Sequence, residues 1–286
     1  MQSSSRRGIS LAVLAAALYA VNAPFSKLLL TYIPSTLMAG LLYLGAGLGM
    51  GIVTLIRKCR GHRTEERLGR TELPFTVLMI LLDIAAPIFL LFGLSRTTAA
   101  NASLLNNFEI VATAVIAFFV FKEPIPRRLR LGILLVTLSC CILSFEDMGS
   151  LRFSSGSLFV LLAACCWGLE NNCTRKISSK DPLQIVLLKG VFSGTGSVLI
   201  GLIIGERITL PKYIPLVLLL GFVAYGLSIY FYVYAQRLLG AAKTSAYYAI
   251  APFIGVLLSL LIFRELPGKT FLAALILMLL GARLSS

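Results

Sequence analysis

Three carboxylates lie deep inside long apolar stretches of this sequence: Asp83, Glu109 and Glu170. The other nine of the twelve acids lie in or near the polar connections between those stretches. A charged side chain at the centre of a lipid bilayer is unfavourable by about 3 kcal/mol or more, and acids in such positions typically mark ion or substrate sites. These three residues are therefore the leading candidates for a functional site.

Glu109 lies about ten residues into its apolar stretch, which is roughly 15 Å along a helix and near the bilayer midplane. Ser103, Asn106, Glu109 and Thr113 are spaced by three, three and four residues, so one helix face carries all of them. We expect Glu109, with Asn106, to bind a cationic group or a coupling proton. The alternative is a protonated Glu109 that only hydrogen-bonds to a neighbouring helix.

Trp167, Glu170 and Thr174 also share one helix face, because they are spaced by three and four residues. Two interpretations are open: this face forms a gate or part of a substrate path, or Glu170 pairs with Arg175 or Lys189 as an interfacial anchor. A matching polar face in the first apolar stretch is formed by Tyr19, Asn22 and Ser26.

Asp83 lies near the middle of the third apolar stretch, four residues before Pro87. Lys189 lies about two turns into the seventh stretch. The two residues are either partners in the interior of the protein, or Lys189 extends its ammonium to the cytoplasmic surface.

Tyrosines are concentrated in the eighth and ninth apolar stretches. Tyr225 and Tyr232 lie on one face, Tyr248 opens the next stretch, and Tyr230 with Tyr234 forms a second face. Aromatic rings hold cations or apolar rings in pockets, but they also form ordinary belts at membrane interfaces. We assign Tyr225, Tyr232 and Tyr248 to a pocket, and Tyr234 to a belt.

The elements that must position these residues are membrane helices. Of the 286 residues, 58% are hydrophobic and only 13% are charged, whereas a soluble domain is about one quarter charged. This composition excludes an ordinary soluble enzyme, a disordered chain and a fibrous one, and it predicts an all-α polytopic membrane protein. Ten spans are predicted, at 8–30, 36–56, 74–95, 99–121, 128–146, 156–174, 183–205, 213–235, 243–263 and 268–284.

The net charge of +14 has a topological explanation. With the N-terminus inside, eighteen Lys and Arg residues fall in cytoplasmic segments and seven in outer segments. We therefore expect both termini to be cytoplasmic, in the inner or plasma membrane. The apolar stretches lie in the lipid bilayer and the basic residues lie in the short connections between them, so no nucleic-acid partner is expected.

Other chemistry has little support in the sequence. The six cysteines have no metal-ligand spacing and His62 is the single histidine, so neither a metal nor another cofactor is expected. No phosphate-binding loop is present, which argues against ATP-driven transport. Glycines recur in the second and seventh spans, from Gly45 to Gly51 and from Gly190 to Gly205, and they predict close helix packing or a dimer surface.

The sequence also contains an internal repeat. Phe121-Lys122-Glu123 recurs as Phe263-Arg264-Glu265, and Ala100-Asn101-Ala102-Ser103 as Ala242-Lys243-Thr244-Ser245, both at an offset of 142 residues. Two halves, 8–148 and 156–284, each hold five predicted spans. Since five is odd, the second half enters the membrane from the opposite face, an arrangement typical of secondary transporters.

These motifs, with Phe118 to Pro124, Trp167-Gly168 and Ala251 to Gly255, resemble the drug/metabolite transporter superfamily in its ten-span EamA-like branch. The resemblance covers nearly the whole chain. It implies a solute carrier with a central cavity and alternating access, and it implies no particular substrate. The first half departs from the commoner pattern, because Glu109-Ile110 stands where the second half has Ala251-Pro252.

The expected function is secondary transport of a small metabolite or amphipathic organic solute, coupled to protons, by a monomer or a homodimer. The first alternative is a multidrug or organic-cation proton antiporter. A non-transport intramembrane protein is the second alternative; an intramembrane enzyme would need two close carboxylates, such as Asp83 with Glu109. We expect a protein that is not an enzyme.

Overall fold

The structure is a computed structural model. It describes residues 2–60, 66–122, 127–147, 152–239, 244, 247–264 and 268–285. Glu123 and Glu265, the last residues of one repeated motif, lie outside the described residues, as do Lys243 and Ser245 of the other.

Helices make up almost all of the described chain. The strands of the described residues form one short antiparallel ribbon, Phe145–Asp147 with Arg152–Phe153. We number the α-helices α1 Gln2–Ala20, α2 Asn22–Leu29, α3 Ser35–Cys59, α4 Leu73–Arg96, α5 Ala99–Leu105, α6 Phe108–Phe121, α7 Arg127–Ser144, α8 Ser155–Ile177, α9 Pro182–Leu188, α10 Gly194–Ile203, α11 Ile214–Gly221, α12 Ser228–Leu239, α13 Ala251–Phe263 and α14 Lys269–Ser285.

Six helical segments of the described chain are long and apolar enough to cross a membrane, and two shorter apolar helices accompany them. The total of ten spans stays a prediction. The shorter helices are 130–144 and 251–263, and the six longer segments are Arg6–Leu29, Ser35–Cys59, Arg70–Arg96, Ala99–Val120, Pro182–Ile203 and Pro211–Leu239.

The outer surface of these helices is apolar, as a lipid-facing surface requires. Large side chains such as Ile203, Phe119 and Leu261 are 82%, 66% and 65% exposed. An exposed apolar surface of this extent is incompatible with water and suits contact with lipid chains. The structure therefore supports the membrane protein that the composition predicts.

Several spans that the sequence predicts as continuous are interrupted. Val21 separates α1 from α2, because Pro24 has no N–H to donate to the carbonyl of Ala20. Asn106 and Asn107 separate α5 from α6, and the amide of Glu109 bonds to the carbonyl of Asn106 at 3.1 Å, a tighter turn than an α-helix makes. The helix that the sequence predicts through Glu109 is therefore interrupted at Asn106 and Asn107.

The seventh and eighth spans are interrupted differently, by π-helical turns. One turn covers Lys189–Ser193, between α9 and α10, and the other covers Phe222–Leu227, between α11 and α12. A π turn holds one extra residue and is frequent at functional sites. Both turns lie on helices that reach the centre of the protein.

The helices pack in pairs that link the two halves of the chain. Helix α4 packs along α8, and α12 packs along α1. Helix α3 packs against the π turn and α10 of the seventh span, and α7 packs against α14. The core of the protein is thus built largely between the halves, which places its centre at their interface.

Glycines permit the closest of these approaches, as the sequence predicts. A Cβ on Gly190 would lie 2.3 Å from the Cα of Gly47, and a Cβ on Gly45 would lie 2.1 Å from the carbonyl oxygen of Leu218. Two glycines of the predicted pattern do not take part: Gly51 has only a side-chain atom at 3.6 Å, and Gly205 has a φ of +83° at a helix end. The glycine faces of the second and seventh spans therefore pack against other helices of the same chain.

Candidate functional site

A cavity of about 60 Å³ lies at the interface of the two halves. Eight of the predicted site residues line it: Tyr19, Asp83, Glu109, Trp167, Glu170, Tyr225, Tyr232 and Tyr248. The lining also includes Tyr43, Asn171, Thr174, Lys189 and Ile229.

Two smaller cavities adjoin the first through Tyr19 and contain the remaining predicted residues. One, of about 30 Å³, is lined by Asn106 and Asn107, and the other, of about 20 Å³, by Asn22 and Asn106. Asn106 Oδ1 and both side-chain polar atoms of Asn107 are buried without a protein hydrogen-bond partner. Buried polar atoms without a partner usually bind water or a ligand. The segment at Asn106 and Asn107, where the span is interrupted, can therefore bind a water molecule or a ligand.

Lys189 lies between two of the buried carboxylates. Its Nζ is 3.1 Å from Asp83 Oδ2 and donates to Glu170 Oε1. Lys189 is 3% exposed, and Asp83 and Glu170 are 1% and 4% exposed. Of the alternatives open from sequence, the structure therefore shows Lys189 paired with both acids in the interior, and its ammonium does not reach the cytoplasmic surface.

Two hydroxyl groups orient these carboxylates. Tyr43 donates to Asp83 Oδ1 at 2.7 Å, and Thr174 donates to Glu170 Oε1. The contact in the first half that is equivalent to Thr174–Glu170 is Ser26–Asn22, in which Ser26 Oγ donates to Asn22 Oδ1 at 3.0 Å. Both halves therefore carry the same polar contact, one helical turn long, on the matching faces that the sequence indicates.

Glu109 has a different environment from the other two carboxylates. It lies in the first turn of α6, where the helix dipole favours a negative charge. Asn171 Nδ2 donates to Glu109 Oε1 at 2.6 Å. Within the described part of the chain no Lys or Arg lies within 4.0 Å of Glu109. Among the described residues, Glu109 is therefore the cavity-lining acid that has no basic side chain within salt-bridge distance.

Aromatic rings form the rest of the wall. The Tyr19 ring is 6.3 Å from Trp167 and 5.9 Å from both Tyr225 and Tyr248, and Tyr232 is 4.8 Å from Tyr248. These separations are those of aromatic pairs that pack edge to face or tilted. The pocket assignment of Tyr225, Tyr232 and Tyr248 thus agrees with their positions.

Two asparagines hold the tyrosine hydroxyls. Asn106 Nδ2 donates to the Tyr19 hydroxyl at 3.1 Å, and Asn22 Nδ2 donates to the Tyr225 hydroxyl at 3.2 Å. Each bond joins a polar residue near a helix break to an aromatic residue of another span. These two hydrogen bonds therefore link the positions of the Tyr19 and Tyr225 rings to the interrupted spans.

Other chemistry finds no support in the geometry. In the described ranges no group of three or more His, Cys, Asp or Glu side chains could hold a metal ion. Asp83 contacts Lys189 and Tyr43, whereas Glu109 contacts Asn171. The acid that shares a partner with Asp83 is Glu170, through Lys189.

The sequence did not single out Tyr43 and Asn171. Asn171 follows Glu170 directly, so its polar character inside an apolar stretch was a usable signal. Tyr43 lies in a span rich in glycine and leucine, and a lone tyrosine there gives no sign that it faces a carboxylate 40 positions away.

Comparison with known proteins agrees with this geometry. The profile of the EamA-like transporter family matches residues 6–145 and 154–286. An uncharacterized transporter of Methanothermobacter thermautotrophicus is 27% identical over 264 residues, which cover 86% of this chain and 76% of that protein. The uncharacterized transporter YyaM of Bacillus subtilis is 22% identical over 223 residues, which cover 74% of this chain and 73% of that protein.

A solved crystal structure has the same fold. It has 16% sequence identity and a TM-score of 0.68, and the alignment covers 99% of this chain and 96% of that one. Because the family profile matches both halves, and apolar helices suited to a membrane surround a polar centre, the chain belongs to the EamA-like transporter family and is a multi-pass membrane protein with a two-repeat architecture.

Proposed function

We propose that this chain is a secondary transporter that moves a small amphipathic organic solute by alternating access, coupled to protons. The central cavity is the observation that carries the proposal. Residues of both repeats line it, and they combine aromatic rings with carboxylates. A movement of one repeat against the other would change access to such a cavity, as in other two-repeat carriers.

The size of the cavity supports a closed state. About 60 Å³ has room for a few water molecules. Pockets that enclose organic ligands usually measure about 300–1,000 Å³. In the proposed mechanism the repeats separate on one side to admit the solute.

Glu109 is the proposed binding residue for the coupling proton or for a cationic group of the solute. It borders the cavity, it lies near the rings, and Asn171 holds one of its oxygens. By contrast, Asp83 and Glu170 already share the Lys189 ammonium. Glu109 is therefore the carboxylate best placed to exchange a proton for a positively charged solute.

Organic-cation/proton antiport is the second candidate, and the rings favour it. Aromatic faces attract an ammonium group that lies within about 6 Å of the ring centre. A carboxylate beside several tyrosines and a tryptophan suits a protonated or quaternary amine better than it suits an anion.

The remaining architectural proposals follow from the packing. We infer two inverted repeats, at 8–148 and 156–284. A two-fold relation between them exchanges the α4–α8 pair with the α12–α1 pair, and both pairs are formed.

We also propose that both termini are cytoplasmic in the plasma membrane, and that the protein transports without catalysing a reaction.

A binding experiment tests the solute class. Trp167 is the single tryptophan and it lines the cavity, so its fluorescence reports binding directly. Three probes share one phenyl ring and differ in charge: phenethyltrimethylammonium, phenylalanine and 2-phenylethanesulfonate. Saturable quenching by the cation alone would support organic-cation transport, and quenching by phenylalanine alone would favour a metabolite carrier.

A transport experiment tests the role of Glu109. Proteoliposomes with a pH gradient should accumulate whichever probe binds, and Glu109→Gln should lower that uptake at least tenfold, because the exchangeable carboxylate is lost. Glu66→Gln is the matched control, since the Glu66 side chain is 72% exposed. Uptake by Glu109→Gln that equals wild type and retains its pH dependence would refute the role of Glu109.

A further inference from the structure

The Asp83–Lys189–Glu170 cluster brings two acidic side chains and one basic side chain, from three spans, into contact. Asp83 belongs to α4, Glu170 to α8, and Lys189 begins the first π turn. All three are buried, and all three border the central cavity. The cluster has two carboxyl groups for one ammonium.

The oxygen atoms around the ammonium form a built site. Glu170 Oε1 and Asp83 Oδ2 face Lys189 Nζ, and the hydroxyls of Thr174 and Tyr43 hold the two carboxylates in place. The Asp83 Oδ2 contact, at 3.1 Å, lacks hydrogen-bond geometry, so this buried oxygen has no hydrogen-bond partner. These oxygens would surround any compact cation placed where the ammonium lies.

The lysine is attached to the chain only through a flexible apolar stem. Four methylene groups carry the ammonium from the backbone of the π turn to the carboxylates. The charge that the cluster needs is therefore supplied by the end of a side chain, and nothing in the oxygen arrangement requires that the cation be covalently attached.

We propose that Asp83 and Glu170 form a cation site which Lys189 fills with its own ammonium, and which binds a small alkylammonium ion when that side chain is shortened. The tethered cation would take the place of a free co-transported ion. It would also leave Glu109 as the carboxylate open to a cationic solute. This last consequence rests on the proposed function, whereas the cation site itself does not.

The test is chemical rescue of Lys189→Ala, followed by thermal unfolding of the purified full-length protein. Alanine removes three carbons and the nitrogen beyond Cβ, which is the size of propylammonium. We expect Lys189→Ala to unfold at a lower temperature than wild type. Propylammonium should raise that temperature saturably, and at about 100 times its Kd it should increase the apparent folding constant about 100-fold.

Matched probes separate charge from size. Methylammonium should stabilise Lys189→Ala less than propylammonium does, because it leaves more of the space empty. 1-Propanol has a similar size without the charge and should not stabilise it. Propylammonium should stabilise wild type less than it stabilises Lys189→Ala, because Lys189 fills the site. Equal stabilisation by propanol, or no stabilisation by propylammonium, would overturn the proposal.

A second pair of variants covers the case in which Lys189→Ala does not fold. Lys189→Met keeps most of the length of the side chain and removes its charge. The double variant Asp83→Asn with Lys189→Met should be more stable than Lys189→Met alone, because one uncompensated carboxylate is gone. A double variant no more stable than the single one would contradict the proposal. Since every readout is thermal unfolding, the result is independent of whether any solute is transported.

Discussion

The hydroxyl of Tyr43 matters because it is one of two groups that orient Asp83 in the interior of the protein. It donates to Asp83 Oδ1 at 2.7 Å, and Tyr43 itself is 1% exposed. The other group is Lys189, which faces the second oxygen. A buried carboxylate that loses a donor loses a hydrogen bond, so this single hydroxyl contributes to stability and to the geometry of the cluster.

Tyr43→Phe should therefore destabilise the protein by about 1–3 kcal/mol, the usual range for a buried acceptor left unsatisfied. Thermal unfolding in detergent measures the effect. Tyr247→Phe is the control, because Tyr247 is 39% exposed and should change stability little. Equal unfolding temperatures for the two variants would mean that the Tyr43–Asp83 bond contributes nothing.

Most of the cavity lining could be predicted from residue type alone. Asp83, Glu109 and Glu170 stand out because an ionisable side chain in an apolar stretch is unfavourable and usually has a function. The structure places all three at one cavity. The partners were harder to predict. Lys189 could equally have extended to the surface, since a long side chain two turns from a helix end can reach water; the structure excludes this by its burial.

At the scale of helices, the approach of the second and seventh spans depends on the absence of two Cβ atoms. Gly47 and Gly190 face each other, and a Cβ on Gly190 would lie 2.3 Å from the backbone of Gly47. Backbone atoms cannot rotate away as a side chain can. Gly190 is also the second residue of the π turn that begins with Lys189, so this contact fixes the backbone that carries the ammonium.

Gly190→Ala should force the two spans apart and lower the unfolding temperature by several degrees or abolish folding. Gly51→Ala on the second span is the matched control, because its nearest neighbour would be a leucine side chain at 3.6 Å, an ordinary contact. Thermal unfolding and the yield of monodisperse protein measure both variants. A Gly190→Ala protein as stable as Gly51→Ala would show that the spans tolerate the separation.

The positions of the helices could be predicted better than their interruptions. Hydropathy finds an apolar stretch because each residue contributes its own transfer free energy. A break depends on a few backbone hydrogen bonds, and Asn106 with Asn107 reads equally well as part of a helix face. Pro24 and Pro252 were visible signals, and a turn at Val21 and another at Ala249 and Ile250 do lie just before them.

At the scale of the whole molecule, the distribution of positive charge predicts which ends of the helices face the cytoplasm. Cys59 ends α3 and is exposed. It lies beside Arg57, Lys58 and Arg60, in the segment with the largest group of basic residues. The positive-inside rule predicts that this end faces the cytoplasm.

A membrane-impermeant maleimide should therefore label Cys59 in inside-out vesicles and leave it unlabelled in intact cells. Cys141 and Cys165 are also exposed, but they lie within apolar helices where lipid would cover them. Cys59→Ser should remove the labelling, which identifies the reactive thiol. Strong labelling of Cys59 in intact cells would reverse the proposed orientation.

Two residues with left-handed backbone conformation end equivalent helices in the two halves of the chain. Lys122 has a φ of 56° after α6, and Arg264 has a φ of 53° after α13. Glycine takes this conformation with least strain, so a basic residue there is unusual. The same unusual ending occurs at equivalent positions of the two halves. Duplication of one ancestral segment that ended its helix in this way would produce that match.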